Sequence, residues 1–271
     1  MLNLIYYDIK ATYKRILLTV MLLSLLAFAV RFLWSDVFMS VFDNKNFYIG
    51  NIIQFAAAAL LGVCCFIAFV VIIYGQCSWF DENILSAQGQ LTNMLPVSSY
   101  QIVFSKILVA FVWNVIILLT FVGVSCVFFM ESDILELLVS AVNEFAKLNN
   151  VHISIVSMSV SICLCIALAM TGFISLCFLS QMVGQIFNLT RNLMIFISFF
   201  AFAVVSISLH ILVLRLLGIA DPLTALVGKT APYVVSYVFS VVNKLTVLNF
   251  LSSLACWLGA SAILKNKLNM L

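Results

Sequence analysis

The sequence predicts an all-α, polytopic membrane protein: six transmembrane helices, an interfacial helix at the N-terminus, and a short cytoplasmic helix between the second and third spans. Three observations predict it. Only 8% of the 271 residues are charged, where a soluble domain carries roughly 25%. Apolar residues make up 65% of the chain, with a mean hydropathy of +1.23. They gather into about six runs, each long enough for the ~20-residue helix that crosses a ~30 Å hydrocarbon core. Unpaired backbone amides are too costly in hydrocarbon, so the spans must be helices or a closed barrel. The runs lack the alternation of barrel strands. The whole chain, 1–271, reads as one transmembrane domain.

Leu2, Ile5, Tyr6, Ile9, Tyr13 and Ile16 recur at helical spacing, with Asn3, Asp8, Lys10, Lys14 and Arg15 mostly off that face. Such a pattern suits a helix lying in the membrane interface. The first span follows at 16–34. Ala27-Phe28-Ala29 looks like a signal-peptide cleavage site, but the region before the run is long and amphipathic. The remaining spans fall at 52–74, 107–130, 153–182, 193–214 and 245–264. An even number puts both termini on one side. Lys10, Lys14, Arg15, Lys106, Arg191, Lys265 and Lys267 fall with the termini; Arg31, Lys45, Lys147, Arg215, Lys229 and Lys244 fall opposite. The tight basic cluster before the first span places the termini in the cytoplasm.

Two outer segments exceed what a connector needs. In 131–147, Leu135, Leu138, Val142 and Phe145 share a face opposite an acidic side. The stretch 215–244 contains Asp221-Pro222 and Ala231-Pro232 and is expected to lie on, or dip into, the outer leaflet.

The eight cysteines offer no C-x-x-C pair and no histidine at ligand spacing, so a disulfide framework or zinc site is not expected. Polar residues in or beside the spans are few. Gln54, Asn114, Ser161, Thr171 and Gln181 are candidates for a translocation path or for interhelical hydrogen bonding, and the second role is the commoner one. Ser154, Ser157, Ser161, Cys165, Ala169, Gly172 and Ser175 make one small-residue face on the fourth span. Ala58-x-x-x-Gly62 and Ala255-x-x-x-Gly259 add further close-approach sites. Buried carboxylates or broken helices, which ion-coupled carriers use, are not evident. With His152 and His210 the only histidines, no catalytic arrangement stands out.

The loop between the second and third spans is punctuated as a short helix. Ser78 is suited to an N-cap, with Asp81 and Glu82 in the first turn and Gly89 past the end. Ser98 with Gln101 reads as a capping box opening the third span.

The stretch Asn93-Met94-Leu95-Pro96-Val97-Ser98-Ser99-Tyr100-Gln101-Ile102-Val103-Phe104-Ser105-Lys106 resembles the T-L-P-V-S-x-x-Q-x-x-x-S-K element of type-2 ABC-exporter permeases of Gram-positive bacteria. Asp81-Glu82 stands where that family has an acidic G-[DE]-E-like segment, with Trp79-Phe80 where it has glycine. Tyr7-Asp8-Ile9-Lys10-Ala11-Thr12-Tyr13-Lys14-Arg15 resembles its Y-[DE]-x-K-A-x-x-[KR] start. The resemblance implies six helices, an interfacial N-terminal helix and a cytoplasmic coupling helix. It also implies a separate ATPase subunit that holds ATP and Mg, and a second permease subunit, identical or paralogous. On this reading Trp79, Phe80, Asp81, Glu82, Leu85 and Gln88 contact the ATPase, and no cofactor binds the chain itself. No G-x-x-x-x-G-K-[ST] occurs, so phosphate cannot be cradled by that route. The expectation is a non-enzymatic permease in a bacterial plasma membrane, surrounded by lipid and binding no nucleic acid, that exports an amphipathic peptide, lipid or drug. A secondary transporter or channel, and a non-transporting immunity or sensor subunit, are the alternatives.

Overall fold

The computed structural model describes residues 2–33, 47–86, 97–129, 140, 155–187, 190–217 and 231–267. Among them, every regular element is helical. Six α-helices run over Leu2–Leu33 (α1), Phe47–Phe80 (α2), Ser99–Phe129 (α3), Ile155–Gly184 (α4), Arg191–Leu216 (α5) and Ala231–Lys267 (α6). A π turn, Asp81–Leu85, closes α2. Five segments are long and apolar enough to cross a membrane: Gly62–Leu85, Ser99–Gly123, Ser157–Gly184, Arg191–Leu216 and Tyr237–Asn266. In α1 the parts Asn3–Lys14 and Ile16–Ala29 meet at 44° and reach that standard only as a pair.

Between helices in lipid there is no hydrophobic driving force, because the tails are as apolar as leucine; close packing and polar ties must hold the bundle. The packing centres on α4, which lies against α6 most extensively and also against α5, α3 and α2. α1 packs on α3 and α2. One apolar cluster joins Phe80 and Ile84 to Ile102 and Val103 of α3, Phe178 and Met182 of α4, and Leu264 of α6. A second joins Ile16 of α1, Ile72 and Trp79 of α2, and Val109, Trp113 and Ile117 of α3. The Phe80 and Phe178 rings stack with centroids 4.0 Å apart and planes 7° from parallel.

The described residues of the expected spans all fall within helices, and the largest difference is at α6. This helix begins at Ala231, so 231–244, the second half of the stretch expected at the outer leaflet, is its opening and is continuous with the last span. Pro232 permits this because its missing N–H and fixed φ suit a first helical turn. At ~1.5 Å per residue such a helix is about 55 Å long, well over a ~30 Å core. The predicted amphipathic segment 131–147 lies, apart from Ser140, outside the described residues.

The small-residue sites divide. On α4, Gly172 faces α6, where an added Cβ would meet Ser253 Oγ at 3.4 Å and Ser252 Oγ at 3.5 Å. Gly259 similarly faces Leu179 Cδ1 at 3.2 Å, whereas Gly62 has nothing within 4 Å. Among the described glycines the tightest is Gly184, at the corner between α4 and α5. A Cβ there would collide with Ile195 Cγ1 and lie 3.2 Å from the Arg191 carbonyl oxygen. A side chain at this corner would force Ile195 and the start of α5 to shift. Gly184→Ala should cost about 1–3 kcal/mol, the usual penalty of overpacking, while Gly172→Ala, placed at ordinary contact distance, should be near neutral. Thermal unfolding of the two variants in detergent checks the contrast.

Candidate functional site

The end of the bundle that gathers the start of α1, the end of α2, the start of α3 and the α4–α5 corner holds most of the polar chemistry. It starts from one helical stripe. α1 buries Asp8, Thr12, Ile16, Leu23 and Ala27, which are spaced by whole turns, while Tyr6 and Tyr7 are exposed. Asp8 is thus on the buried face, contrary to the predicted amphipathic arrangement that placed it among the solvated residues. The reason is its partner. Lys106 Nζ lies 2.5 Å from Asp8 Oδ1, and the two residues are 2% and 7% exposed. Ser105 Oγ donates to Asp8 Oδ2 at 3.1 Å. The ammonium also sits 4.1 Å from the Trp79 ring centroid, a cation–π contact. Trp113 Nε1 donates to Thr12 Oγ1 at 2.8 Å, and that hydroxyl donates to the Asp8 carbonyl at 2.9 Å. A single buried charge network thereby joins α1, α2 and α3.

A second line of polar contacts crosses α2, α3 and α4. Gln76 Nε2 donates to Asn114 Oδ1 at 3.4 Å, Asn114 Nδ2 donates to Thr171 Oγ1 at 3.2 Å, and Thr171 Oγ1 donates to the Ala167 carbonyl at 2.8 Å. A third ties α4, α5 and α6. The Ser206 carbonyl can only accept, so His210 Nδ1 carries the hydrogen across their 2.7 Å contact. His210 Nε2 faces Asn249 Oδ1 at 3.2 Å, and Asn249 Nδ2 faces Cys165 Sγ at 3.9 Å. The Nε2 contact is made either by an Nε2–H donating to Asn249 Oδ1 or, with the amide turned over, by Asn249 Nδ2 donating to Nε2.

The loop element differs from its predicted form. No new helix starts at Ser78. α2 continues unbroken to Phe80 and widens into the π turn, where Ser86 N–H donates to the Asp81 carbonyl at 3.0 Å. Ser78 Oγ instead donates to Glu82 Oε1 at 3.0 Å, and Asn83 Nδ2 donates to the Trp79 carbonyl at 2.9 Å. Ser86 then leaves the helix in extended backbone. Asp81 pairs with Arg191, the first residue of α5. Beyond the loop, Gln101 Oε1 accepts from the Ser98 N–H at 3.4 Å, which is one arm of the expected capping box.

The residues expected to meet an ATPase separate into two sets. Trp79 and Phe80 are buried, at 5% and 0% exposure, and pack inside the bundle, so they have no surface to offer a soluble partner. Glu82 is exposed, Asp81 is half-buried in its pair with Arg191, and Leu85 packs against the first apolar cluster. Gln88 lies outside the described residues. Of the polar candidates in the spans, Asn114 and Thr171 are buried in the interhelical line, and Gln181 Nε2 donates to the Cys77 carbonyl at 3.2 Å. Ser161 is half-buried on α4. Gln54 falls in α2, with its side chain outside the described set. A cavity of about 580 Å³ lies between α2, α4 and α5, walled by Phe173, Phe196, Phe199 and Phe200, with Gln181 and Asn192 as polar groups. Another of about 470 Å³ lies between α4, α5 and α6 beside His210 and Asn249.

The sequence does not announce the Asp8–Lys106 joint as a site, although each residue stands in one of the two motifs. The available signal was the period: Asp8, Thr12, Ile16, Leu23 and Ala27 mark a face by whole turns, and a lysine opens an otherwise uncharged apolar run at Lys106. No family model, curated protein or solved structure matches the chain.

Removing one member of a buried ion pair strands the other in low dielectric, whereas replacing both with apolar residues is often harmless. Lys106→Met and Asp8→Leu should each cost about 3–5 kcal/mol, and the double variant should recover most of that loss. A double-mutant cycle by thermal unfolding in detergent measures the coupling. Additive losses would mean that the pair does not hold α1 on α3.

Proposed function

We propose that the chain is the permease subunit of an ATP-driven exporter, moving an amphipathic peptide, lipid or drug across a bacterial plasma membrane with a separate ATPase subunit. One observation carries the reading: the acidic π turn is a surface handle attached to buried parts on several helices. Glu82 is exposed, while Asp81 grips Arg191 at the head of α5. The preceding Phe80 is stacked on Phe178 of α4. A force applied at this turn is therefore felt by α2, α4 and α5 together, as alternating access requires. The resemblance supports the same reading. Its two motif pieces, Tyr7-Asp8 and Ser105-Lys106, lie far apart in sequence, and their polar members bond each other.

In this proposal both termini and the π turn face the cytoplasm. α1 beyond its bend is the first span and completes a set of six, and the segment before the bend lies in the interface. The working unit has two permease subunits, identical or paralogous, and ATP with Mg resides on the partner ATPase, so this subunit is not itself an enzyme. A gradient-driven carrier is the competing reading.

The test is co-purification of the chain with its ATPase from native membranes, reconstitution, and measurement of hydrolysis and transport. Glu82→Lys should weaken the complex or lower transport-coupled hydrolysis at least about tenfold, the effect of losing ~1.4 kcal/mol at the contact. The fold should be unchanged, since Glu82 is exposed. Unaltered coupling in an Asp81→Lys, Glu82→Lys double variant removes the handle from this account. Solute movement by the chain alone, following an ion gradient, establishes the carrier.

A further inference from the structure

Cys77 of α2 and Cys177 of α4 are both free and half-buried, on neighbouring turns of two packed helices. Their approach is fixed from two sides. The Cys77 carbonyl accepts from Gln181 Nε2 at 3.2 Å, one turn beyond Cys177. Phe80, nearly one turn beyond Cys77, is stacked on Phe178, the neighbour of Cys177. These two contacts hold the turns that carry the cysteines side by side. Both also line the 580 Å³ cavity between α2, α4 and α5, which leaves them reachable by a small molecule entering there.

We propose that Cys77 and Cys177 are a redox modification site that closes to a disulfide with a membrane-permeant hydroperoxide as oxidant. One sulfur attacks the peroxide, the O–O bond breaks, and an alcohol (water, for hydrogen peroxide) leaves, giving a sulfenic acid. The second sulfur then attacks the first; the S–O bond breaks and water departs with the remaining thiol proton. Two electrons pass from the sulfurs to the peroxide, and a thiol reductant reverses the change. Disulfides in reducing compartments are typically transient and sensory, which fits a pair that rests reduced. The bond staples α2 to α4 one turn before the π turn.

The experiment treats the full-length chain in lipid nanodiscs with hydrogen peroxide, blocks remaining thiols with N-ethylmaleimide, and maps the digest by mass spectrometry. The expected result is a linked Cys77–Cys177 peptide pair, lighter by two hydrogens than the reduced pair. It should be dissolved by dithiothreitol and absent from both Cys77→Ser and Cys177→Ser. Both cysteines carrying N-ethylmaleimide after treatment, while Cys64 or Cys65 oxidises, overturns the proposal, as does a linkage of either residue to a different cysteine. No ATPase is present in this assay, so its failure is separate from any failure of the permease reading.

Discussion

A carboxylate and an ammonium group, each too costly to bury alone, meet at Asp8 and Lys106, and much of the bundle's arrangement follows from that meeting. In low dielectric the pair is stable only if geometry is good and the remaining polar atoms are satisfied. Ser105 takes the second carboxylate oxygen, and the Trp79 ring covers the ammonium. Those requirements position three helices: α1 must enter at the depth of Asp8, α3 must begin at the matching level, and α2 must bring Trp79 alongside. The 44° bend of α1 falls just beyond this joint. It lets Ile16, Leu23 and Ala27 continue the buried stripe while the helix changes direction.

The other polar ties follow the same logic in weaker form. Amide and hydroxyl pairs between helices in lipid contribute about 0.6 kcal/mol on average, with a maximum near 2, so the Gln76–Asn114–Thr171 line sets register more than it adds stability. Its members lie on α2, α3 and α4, and the His210–Asn249–Cys165 line lies on α4, α5 and α6. α4 belongs to both and has the broadest packing. Gly172 and Gly184 let that helix approach α6 and α5 closely. α5 is the least enclosed, with Phe196, Val204 and Leu212 among many large side chains left exposed.

Hydropathy made the helices legible, because a bilayer imposes a length and a composition that few soluble segments meet. The interhelical use of Asn114 and Thr171 was also readable, since isolated amides and hydroxyls in a span have few alternatives to bonding a neighbour. The fate of Trp79 and Phe80 was not. Acidic residues directly after them and a capping serine before them marked a helix start, yet nothing local shows that two aromatic rings prefer a stacked partner and a cation on other helices. Tertiary contacts carried α2 past Ser78. Asp8 failed in the opposite direction. An aspartate beside a tyrosine-rich face reads as solvated until a lysine almost a hundred residues away supplies the counter-charge. The reach of α6 ahead of its span was not readable, because Ala231-Pro232 signals an interruption equally well as a helix opening.

The widened turn at Asp81–Leu85 has one mechanical consequence. A π turn stores an extra residue in its circumference. Reverting it to α geometry would rotate everything downstream by about 100° and advance it by ~1.5 Å. The Phe80 stack lies upstream and would stay in place, while Ser86, the first residue beyond the turn, would swing to a new bearing. Such a ratchet needs no hinge and no broken backbone, only the exchange of one hydrogen-bond register for another.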